Sequence, residues 1–400
     1  MSAAGVGRQR ALLGGVVFTV LFVQLLVYPG IDTLVTALGA SAVLGGSTLF
    51  LAVELGASIA FVPVWGLASD ARGVRVPLLR NGAVLAATSY AGLAVLGQTT
   101  ALPFPGLLAI RAAQGASTIG VLSLAMTMLM DLPGGNGRNM GAAGIAIGSG
   151  TALGAPIGGL LYEQGPFVPL WTAATLALAI AVLSTRLADR TPAADRHEDG
   201  LARILERVRH TPGLVVPYAF GFIDRLSAGV FALAGTLYFR ASFGLSPAAT
   251  GAMLFLFFAP FALFQYPFGA LSDRLGRAVP VVGGSVGYGL GIVAVGLAPT
   301  VVGVGVAMVA VGVVGAFMSP ATIALVSDLA GETDRGVAMA GFNATGTVGF
   351  LAGVLLAGTV AGATGFRAVF LVAGGVEIGL AVVAAPAVFR LAAARQTTGV

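Results

Sequence analysis

The chain is 400 residues long, and 57% of its residues are hydrophobic while only 9% are charged, with a mean hydropathy of +0.96. A soluble protein of this length needs far more charge on its surface, so the composition predicts an integral membrane protein instead. The absence of cysteine excludes disulfides and thiolate metal sites, and neither a metal centre nor any other cofactor is expected.

Apolar segments long enough to cross a bilayer, which takes about 20 residues, recur along the whole chain. They predict twelve transmembrane helices, at residues 12–36, 45–68, 76–97, 105–130, 139–161, 168–186, 212–238, 247–270, 279–298, 301–327, 337–358 and 367–390. The one long polar stretch, 187–211, divides them into two groups of six. The predicted fold is an all-α integral membrane protein of two pseudo-symmetric six-helix bundles, at 1–186 and 212–400, joined by the linker at 187–211.

The linker contains four apolar residues that share one face at helical spacing: Leu201, Ile204, Leu205 and Val208. Three charged residues lie on its other faces: Glu206, Arg207 and Arg209. This pattern predicts a short amphipathic helix that lies on the membrane surface at the polar boundary between the two bundles.

All 21 basic residues are arginines, and the predicted topology places nearly all of them at one side of the membrane. The loops at the opposite side carry only Arg240 and Arg367. Because cytoplasmic loops are enriched in basic residues, we expect both termini and the linker to face the cytoplasm, in a multi-pass protein of the cell (plasma) membrane. The topology thereby explains the net charge of +5, and no nucleic-acid binding is expected.

A charged segment occurs twice, half a chain apart, as GLASDARGVRVP at 66–77 and GALSDRLGRAVP at 269–280. Each copy lies in the loop between the second and third predicted helices of its half. The first copy contains Gly66, Asp70, Gly73 and Arg75, and the second contains Gly269, Asp273, Arg274, Gly276 and Arg277.

The residue types in these copies predict a clasp, or gate, at the cytoplasmic end of each half. The first glycine of each copy is expected to let two helices approach closely, and the second to permit a tight turn. The aspartates are expected to accept hydrogen bonds from a helix N-terminus or to pair with an arginine. Asp131, at the inner end of the fourth predicted helix, is near enough in the topology to pair with Arg72 or Arg75 and belongs to the same predicted gate.

The two charged segments resemble the signature of the major facilitator superfamily of transporters, G-x-L-x-D-R-x-G-R-[KR], which lies between helices 2 and 3 and recurs in weaker form between helices 8 and 9. Here the second copy fits better, because the first has Ala68, Ala71 and Val74 at the leucine and first two basic positions. The resemblance covers the whole chain and implies two bundles around a central cavity, with transport by alternating access.

Two further segments are similar to patterns of this family. LAIRAAQGAS at 108–117 looks like its fourth-helix pattern, with Arg111, Gln114 and Gly115 in place. GTALGAPIGG at 150–159 is similar to the fifth-helix pattern of its antiporters, with the proline displaced by one position. The residues concerned are Gly150, Gly154, Pro156, Gly158 and Gly159. This resemblance implies close packing of helix 5 and efflux of a drug or metabolite driven by inward proton flow.

Ionisable groups at membrane depth are costly and are therefore candidates for proton or substrate binding. Six are predicted there: Asp32, Glu54, Arg111, Asp224, Arg225 and Glu377. The apolar flanks of Glu54 favour its protonated form, so we expect it to carry the coupling proton, the alternative being a structural acid that hydrogen-bonds to a neighbouring helix. The resemblance implies a cavity-facing role for Arg111 in proton relay or anion contact, the alternative being snorkelling to the headgroups.

Asp224 and Arg225 are adjacent on one helix and point about 100° apart, so a cavity-facing role and a structural ion pair are both open. Asp32 follows Pro29-Gly30 and is expected to be solvated at the outer mouth rather than functional. Glu377 belongs to a helix that is peripheral in the family, which makes a lateral or structural role at least as plausible as a functional one.

The sequence thus predicts a secondary active transporter, with proton-coupled antiport of a small amphipathic drug or metabolite as the favoured mechanism. Symport or facilitated uptake of a small metabolite or organic anion is one alternative, and a non-transporting membrane sensor or lipid flippase is another. The aromatic group of the eighth helix, Phe255 to Phe268, is more typical of lipid-facing or core packing, and Gln265 and Tyr266 are its candidates for contact with substrate. The expected partners are the substrate, protons and the bilayer, and a monomer is expected. No nucleotide-binding loop or catalytic constellation occurs, so an enzyme is not expected.

Overall fold

The computed structural model of the chain describes residues 3–99, 102–133, 135–189 and 200–398. All regular structure within these ranges is helical, and the contacts divide the chain into two compact units. Unit 1 comprises Met1–His197 and Gly244–Phe255, and unit 2 comprises Glu198–Phe243 and Leu256–Val400.

The first seven helices belong to unit 1: α1 (Ala3–Leu26), α2 (Ile31–Ala37), α3 (Val43–Arg72), α4 (Val76–Gln98), α5 (Phe104–Met130), α6 (Asn136–Tyr162) and α7 (Val168–Ser184). Seven more follow: α8 (Gly200–His210), α9 (Val215–Val230), α10 (Thr236–Phe243), α11 (Pro247–Leu275), α12 (Ala278–Leu297), α13 (Val301–Thr364) and α14 (Phe366–Thr398). A 3₁₀ turn at Pro212–Leu214 precedes α9, and a π-helical turn at Phe231–Gly235 joins α9 to α10.

Ten of the described helical segments are long and apolar enough to cross a membrane. Two of them come from α13, which a kink at Gly331 (φ 73°, ψ 179°) divides into Val301–Gly331 and Asp334–Thr364. The 23-residue α4 and the shorter apolar α7 occupy the remaining two predicted positions. The prediction of an all-α membrane protein with six membrane helices in each half is therefore confirmed.

Two of the predicted membrane helices are interrupted. The segment predicted at 12–36 breaks between α1 and the short α2, where Pro29 has no N–H to donate to a helical hydrogen bond. The segment predicted at 212–238 is interrupted by the π-helical turn at Phe231–Gly235, in which the hydrogen bonds skip one residue more than in an α-helix. No proline marks this second break, so the sequence pattern does not reveal it.

A left-handed glycine forms the turn in each copy of the charged segment. Gly73 ends α3 with φ 62°, and its N–H donates to the carbonyl of Ser69 at 2.9 Å. Gly276, with φ 79°, holds the corresponding place between α11 and α12. A side chain at either position would strain the backbone, so glycine is what allows two long helices to be joined by so short a loop.

The leading glycines of the two copies do not make the close helix contacts that the sequence predicts. Nothing lies within 4 Å of a Cβ added to Gly66, which is exposed near the end of α3. A Cβ added to Gly269 would meet Pro320 at 3.6 Å, an ordinary van der Waals distance. The helices need no small residue at these two places, because neither position is pressed against a neighbouring backbone.

Contact between backbones through glycine joins α1 and α6. Three glycines of α6 face the backbone of α1: Gly150, Gly154 and Gly158. A Cβ added to the first of them would come within 2.6 Å of the carbonyl oxygen of Phe18. In lipid, helix association depends on such close packing, because the hydrophobic effect does not drive it. Gly159 instead faces Pro247, and Pro156 lies inside α6.

The same kind of contact joins α9 to the Asp334–Thr364 half of α13. Gly349 and Gly353 face the backbone of α9, and Gly229 of α9 faces the carbonyl of Phe350. Each unit therefore contains helix pairs whose separation is set by glycine rather than by side chains.

Helix α8, the helix predicted in the linker, belongs to unit 2 and packs against α13. The Nη2 of Arg207 donates to the carbonyl of Ala330 at 2.6 Å, and its Nη1 pairs with Asp334 at 2.7 Å, on either side of the kink at Gly331. Val208, on the predicted membrane-facing side, packs on an apolar cluster of unit 2. The apolar face of α8 is thus divided between the protein and the exterior, where the sequence pattern predicts only membrane contact.

The other predicted features of the linker lie on its exposed face or outside the described residues. Leu205 is exposed, as a residue that faces a membrane surface would be. Residues 190–199 and the side chain of Leu201 lie outside the described residues.

Replacing Gly158 with alanine is expected to destabilise unit 1, because the added Cβ overlaps the backbone of α1 at Leu26. Overpacking of this kind costs about 1–3 kcal/mol. Gly144→Ala in the same helix is the matched control, since nothing lies within 4 Å of its added Cβ and alanine is the better helix former. Thermal unfolding in detergent measures both variants, and equal melting temperatures would contradict the packing described here.

Candidate functional site

The largest fully buried side chain among the described residues is a charged one, Arg111 of α5, which is 1% exposed. Its Nη2 pairs with the Oε2 of Glu54 in α3, and its Nη1 donates to the Oε1 of Gln114. Its Nε donates to the carbonyl of Phe50 at 3.4 Å, and the guanidinium lies 4.2 Å from the centroid of the Phe50 ring. The cation is therefore held by a carboxylate, an amide, a carbonyl and an aromatic face.

Gln114 extends this network to a third helix. Its Nε2 donates to the hydroxyl of Tyr90 in α4 at 2.8 Å and to the Oγ1 of Thr118 at 2.9 Å. Tyr90, Gln114 and Glu54 are all buried. The network of these side chains with Arg111, which we call the Glu54–Arg111 network, links α3, α4 and α5 within unit 1.

The sequence R-x-x-Q-G places these side chains where they meet. Arg111 and Gln114 are three residues apart and so lie on one face of α5. The next residue, Gly115, faces the carbonyl of Glu54, and a Cβ there would overlap that carbonyl. The glycine lets α5 approach α3 closely enough for both polar side chains to reach the glutamate.

The ion pair corrects the expectation of an isolated Glu54. The carboxylate of Glu54 pairs with the guanidinium of Arg111 inside unit 1. The sequence places each residue in an apolar run but carries no signal that the two runs face each other. Snorkelling of Arg111 to the headgroups is also excluded, because its guanidinium is buried in the protein.

Unit 2 has the same helix contact without the charges. Gly312 of α13 faces the carbonyl of Phe257 in α11, as Gly115 faces the carbonyl of Glu54. Phe257 therefore stands where Glu54 stands in unit 1.

The partners of this glutamate are also replaced by apolar residues in unit 2. Relative to the contact glycine, Met308 and Val311 hold the places of Arg111 and Gln114, and both are fully buried. Helices with this contact therefore pack without a polar network in unit 2. By this comparison, the Glu54–Arg111 network of unit 1 is not needed for the packing of its helices.

Arg75, which follows the turn of the first charged segment, makes an ion pair with Asp131. The Nη1 of Arg75 donates to Oδ2 of Asp131, the residue that ends α5. Of the two pairings that the sequence allows, this one forms, whereas Arg72 is exposed.

The aspartate of the first charged segment does not take the predicted capping role. Asp70 has no hydrogen bond or ion pair with any other residue in the described ranges. Asp189 takes that role instead, since its carboxylate accepts from the backbone N–H groups of Arg75 and Val76, each at 3.0 Å. These N–H groups open α4, where no intrahelical acceptor is available to them.

The second charged segment is organised around Arg277. Its Nη1 pairs with Asp273 at 2.6 Å and donates to the hydroxyl of Ser272 at 2.8 Å, and its Nε pairs with Asp328 at 3.3 Å. Arg274 is exposed. The pair of Arg277 and Asp328 is the analogue in unit 2 of the pair of Arg75 and Asp131, although Arg277 aligns with Val74, one position before Arg75.

Asp328 is a candidate that the sequence reasoning missed, although a signal for it exists. The segments DLPG at 131–134 and DLAG at 328–331 each begin with the aspartate that forms the ion pair. Arg138 and Arg335 follow these aspartates at the same spacing of seven residues. This second repeat would have identified Asp328 as the counterpart of Asp131.

The other predicted site residues do not form a cluster with one another. Asp224 is half-buried and Arg225 exposed on α9, and neither makes an ion pair or hydrogen bond within the described ranges. Tyr266 is 89% exposed and Gln265 half-buried on α11. Asp32 lies half-buried in the first turn of α2, where its carboxylate accepts from the hydroxyl of Thr33 at 3.4 Å.

Removing Arg111 alone is expected to destabilise the protein more than removing the pair. Arg111→Met leaves a buried carboxylate without its partner, which costs about 3–5 kcal/mol, whereas adding Glu54→Gln removes the charge as well. Thermal unfolding of both variants measures the difference, with the exposed Arg80→Met as control. A double variant that melts at or below the temperature of Arg111→Met would show that the two residues do not act as a buried pair.

Comparison with known proteins adds two findings. The family model described as Major Facilitator Superfamily matches residues 11–223 and 218–398. Comparison with curated protein sequences gives no match.

Several solved structures are similar to this chain. The human organic anion transporter MFSD10 is 20% identical, with 96% of this chain and 99% of that chain covered and a TM-score of 0.69. A bacterial homologue of the human lysosomal transporter Spinster is 11% identical, with 98% of each chain covered and a TM-score of 0.75. The nucleoside transporter NupG is 16% identical, with 97% of this chain and 99% of that chain covered and a TM-score of 0.75.

At these identities the likeness to solved structures shows the fold alone. The family model, however, spans nearly the whole chain, in agreement with its two halves of six membrane helices and its repeated charged segment. The chain belongs to the Major Facilitator Superfamily of membrane transporters.

Proposed function

We propose that the protein is a secondary active transporter that exports a small amphipathic drug or metabolite in exchange for protons, by alternating access. The observation that supports this proposal is the Glu54–Arg111 network, which is buried at membrane depth in a unit whose fold does not need it. Unit 2 packs the corresponding helices with Phe257 and Met308 instead. Charge that is costly to bury and unnecessary for folding is retained for a functional reason.

Protons and Arg111 compete for the same carboxylate. With Glu54 ionised, the guanidinium holds α3 and α5 together through the ion pair. When Glu54 takes up a proton, the charge attraction is lost and Arg111 is left with Gln114 and the carbonyl of Phe50. Proton binding therefore changes the contact between two membrane helices, which is the kind of change that a proton-driven cycle requires.

The ion pairs at the charged segments serve as gates in this proposal. The pair of Arg75 with Asp131 and that of Arg277 with Asp328 each tie the loop after one membrane helix to the end of another. We place them, with both termini, at the cytoplasmic side of the cell membrane, because the arginines concentrate there. The transporter is proposed to act as a monomer.

Uptake of an organic anion is a second candidate. Arg225 is exposed on α9 and makes no ion pair within the described ranges, so it is available to an anionic ligand. Arg111 is not, because its guanidinium is already paired.

Glu54→Gln is expected to abolish proton-driven accumulation while leaving exchange of substrate intact, because glutamine mimics the protonated acid permanently. Purified protein in liposomes with an imposed pH gradient measures both, with a lipophilic organic cation, an organic anion, a nucleoside and a pentose as probes. Glu206→Gln, in the exposed part of α8, is the control and is expected to behave as wild type.

The sign of the gradient separates the candidates. Accumulation driven by an opposing proton gradient supports antiport, and accumulation driven by a parallel one supports symport. Full proton-driven accumulation by Glu54→Gln would show that this carboxylate does not carry the coupling proton.

Charge reversal tests the gate of unit 1. Arg75→Asp and Asp131→Arg each place like charges together and are expected to slow transport several-fold, whereas the double variant restores the attraction and transport. The pair is partly exposed and is worth about 1 kcal/mol or less, so melting temperatures should change little. A double variant no faster than the single ones would refute the gate.

A further inference from the structure

Unit 2 contains a buried acid that the Glu54–Arg111 network does not involve. Glu377 of α14 is 0% exposed and lies within the membrane span Phe366–Ala393. At this level α12 and α14 cross closely, since a Cβ added to Gly289 would lie 2.7 Å from the carbonyl of Gly374 and 3.2 Å from the Cβ of Glu377. A residue on a peripheral face would be exposed, so the carboxyl group belongs to the interior of unit 2.

The hydrogen bonds to this carboxyl group are incomplete. The hydroxyl of Ser227 in α9 donates to Oε2 at 3.5 Å, the long limit for a hydrogen bond. The nearby hydroxyl of Ser285 in α12 donates instead to the sulfur of Met318 at 2.8 Å. The other oxygen, Oε1, is buried and has no hydrogen-bond partner. One weak donor and one unpartnered oxygen do not replace the hydration that an ionised carboxylate loses on burial.

The charged and titratable groups around Glu377 do not supply a counter-charge. Asp224 of α9 and Tyr288 of α12 lie near enough to interact electrostatically with it. Arg225 acts on Asp224 and Tyr288, and no basic residue within the described ranges pairs with Glu377. Within the described ranges Glu377 is therefore a buried acid without a counter-charge.

Glu54 and Glu377 therefore lie in different electrostatic surroundings. Glu54 is paired with a guanidinium, whereas Glu377 is buried without a cationic partner among the described residues, which favours its neutral form.

We propose that Glu377 is a proton-binding site of unit 2, where it is buried as a neutral carboxylic acid. When the O–H bond of this acid breaks, the proton passes to a water molecule, and the hydroxyl of Ser227 donates to the carboxylate left behind. The role of this proton in transport rests on the proposed function, but the site itself does not.

Infrared spectroscopy of the purified protein in liposomes, without any substrate, tests the site. The wild type is expected to show the carbonyl band of a protonated carboxylic acid at neutral pH. This band should be absent from Glu377→Gln, present in Glu54→Gln and in the exposed control Glu206→Gln, and lost reversibly as the pH rises. In Asp224→Asn it should be lost at lower pH, because the neighbouring negative charge that favours the proton is gone.

Three outcomes would overturn the proposal. The band could persist in Glu377→Gln, remain constant at every pH, or disappear on addition of sodium at constant pH, which would make the site a sodium site. If Glu377→Gln does not fold, the wild type and Asp224→Asn still test the site. Transfer to deuterated water is expected to shift the band of an exchangeable acid. A band that does not shift would identify a structural acid that exchanges no proton with solvent.

This test is independent of the transport assay. A titrating band together with pH-independent transport would leave the site standing and remove the proposed proton coupling. Proton-driven accumulation without the band would support the proposed proton coupling and refute the site at Glu377.

Discussion

Close contact between helix backbones is the interaction on which both units depend. In lipid the hydrophobic effect does not drive helices together, so their packing depends on surfaces that stay in van der Waals contact over a long stretch. Glycine supplies that surface between α1 and α6 and between α9 and the second half of α13. The same device at Gly115 brings α5 against α3, and only at that separation can the guanidinium of Arg111 reach Glu54. The chemistry of unit 1 is thus a consequence of its packing.

The two units share an arrangement of helices but differ in the ionisable groups that they bury. Where unit 1 buries an ion pair between α3 and α5, unit 2 places Phe257 and Met308. Unit 2 instead buries a single acid, Glu377, at the crossing of α12 and α14. In the functions proposed above, a proton opens the ion pair of unit 1, and the neutral acid of unit 2 releases one. The fold repeat therefore does not imply a repeat of function.

Much of the fold could be predicted from the sequence, because a membrane helix is defined by length and apolarity alone. Turn glycines such as Gly73 were also readable, since a short loop between long helices demands them. The ion pair of Arg111 with Glu54 could not be read, because a single sequence carries no record of which helix faces touch. The burial of Glu377 could not be predicted for a different reason. Its helix is expected to be peripheral by resemblance to the family, whereas in this chain the side chain is fully buried.

The hydrogen bonds of Asp189 determine how much of the linker the first half of the chain needs for its own structure. This carboxylate completes the start of α4, although more than a hundred positions separate the two in sequence. A fragment that stops with the last membrane helix, α7, lacks it and leaves two backbone N–H groups without an acceptor. The structure of the first half thus extends past its last membrane helix into the linker, and any division of the chain into two co-expressed halves belongs after Asp189.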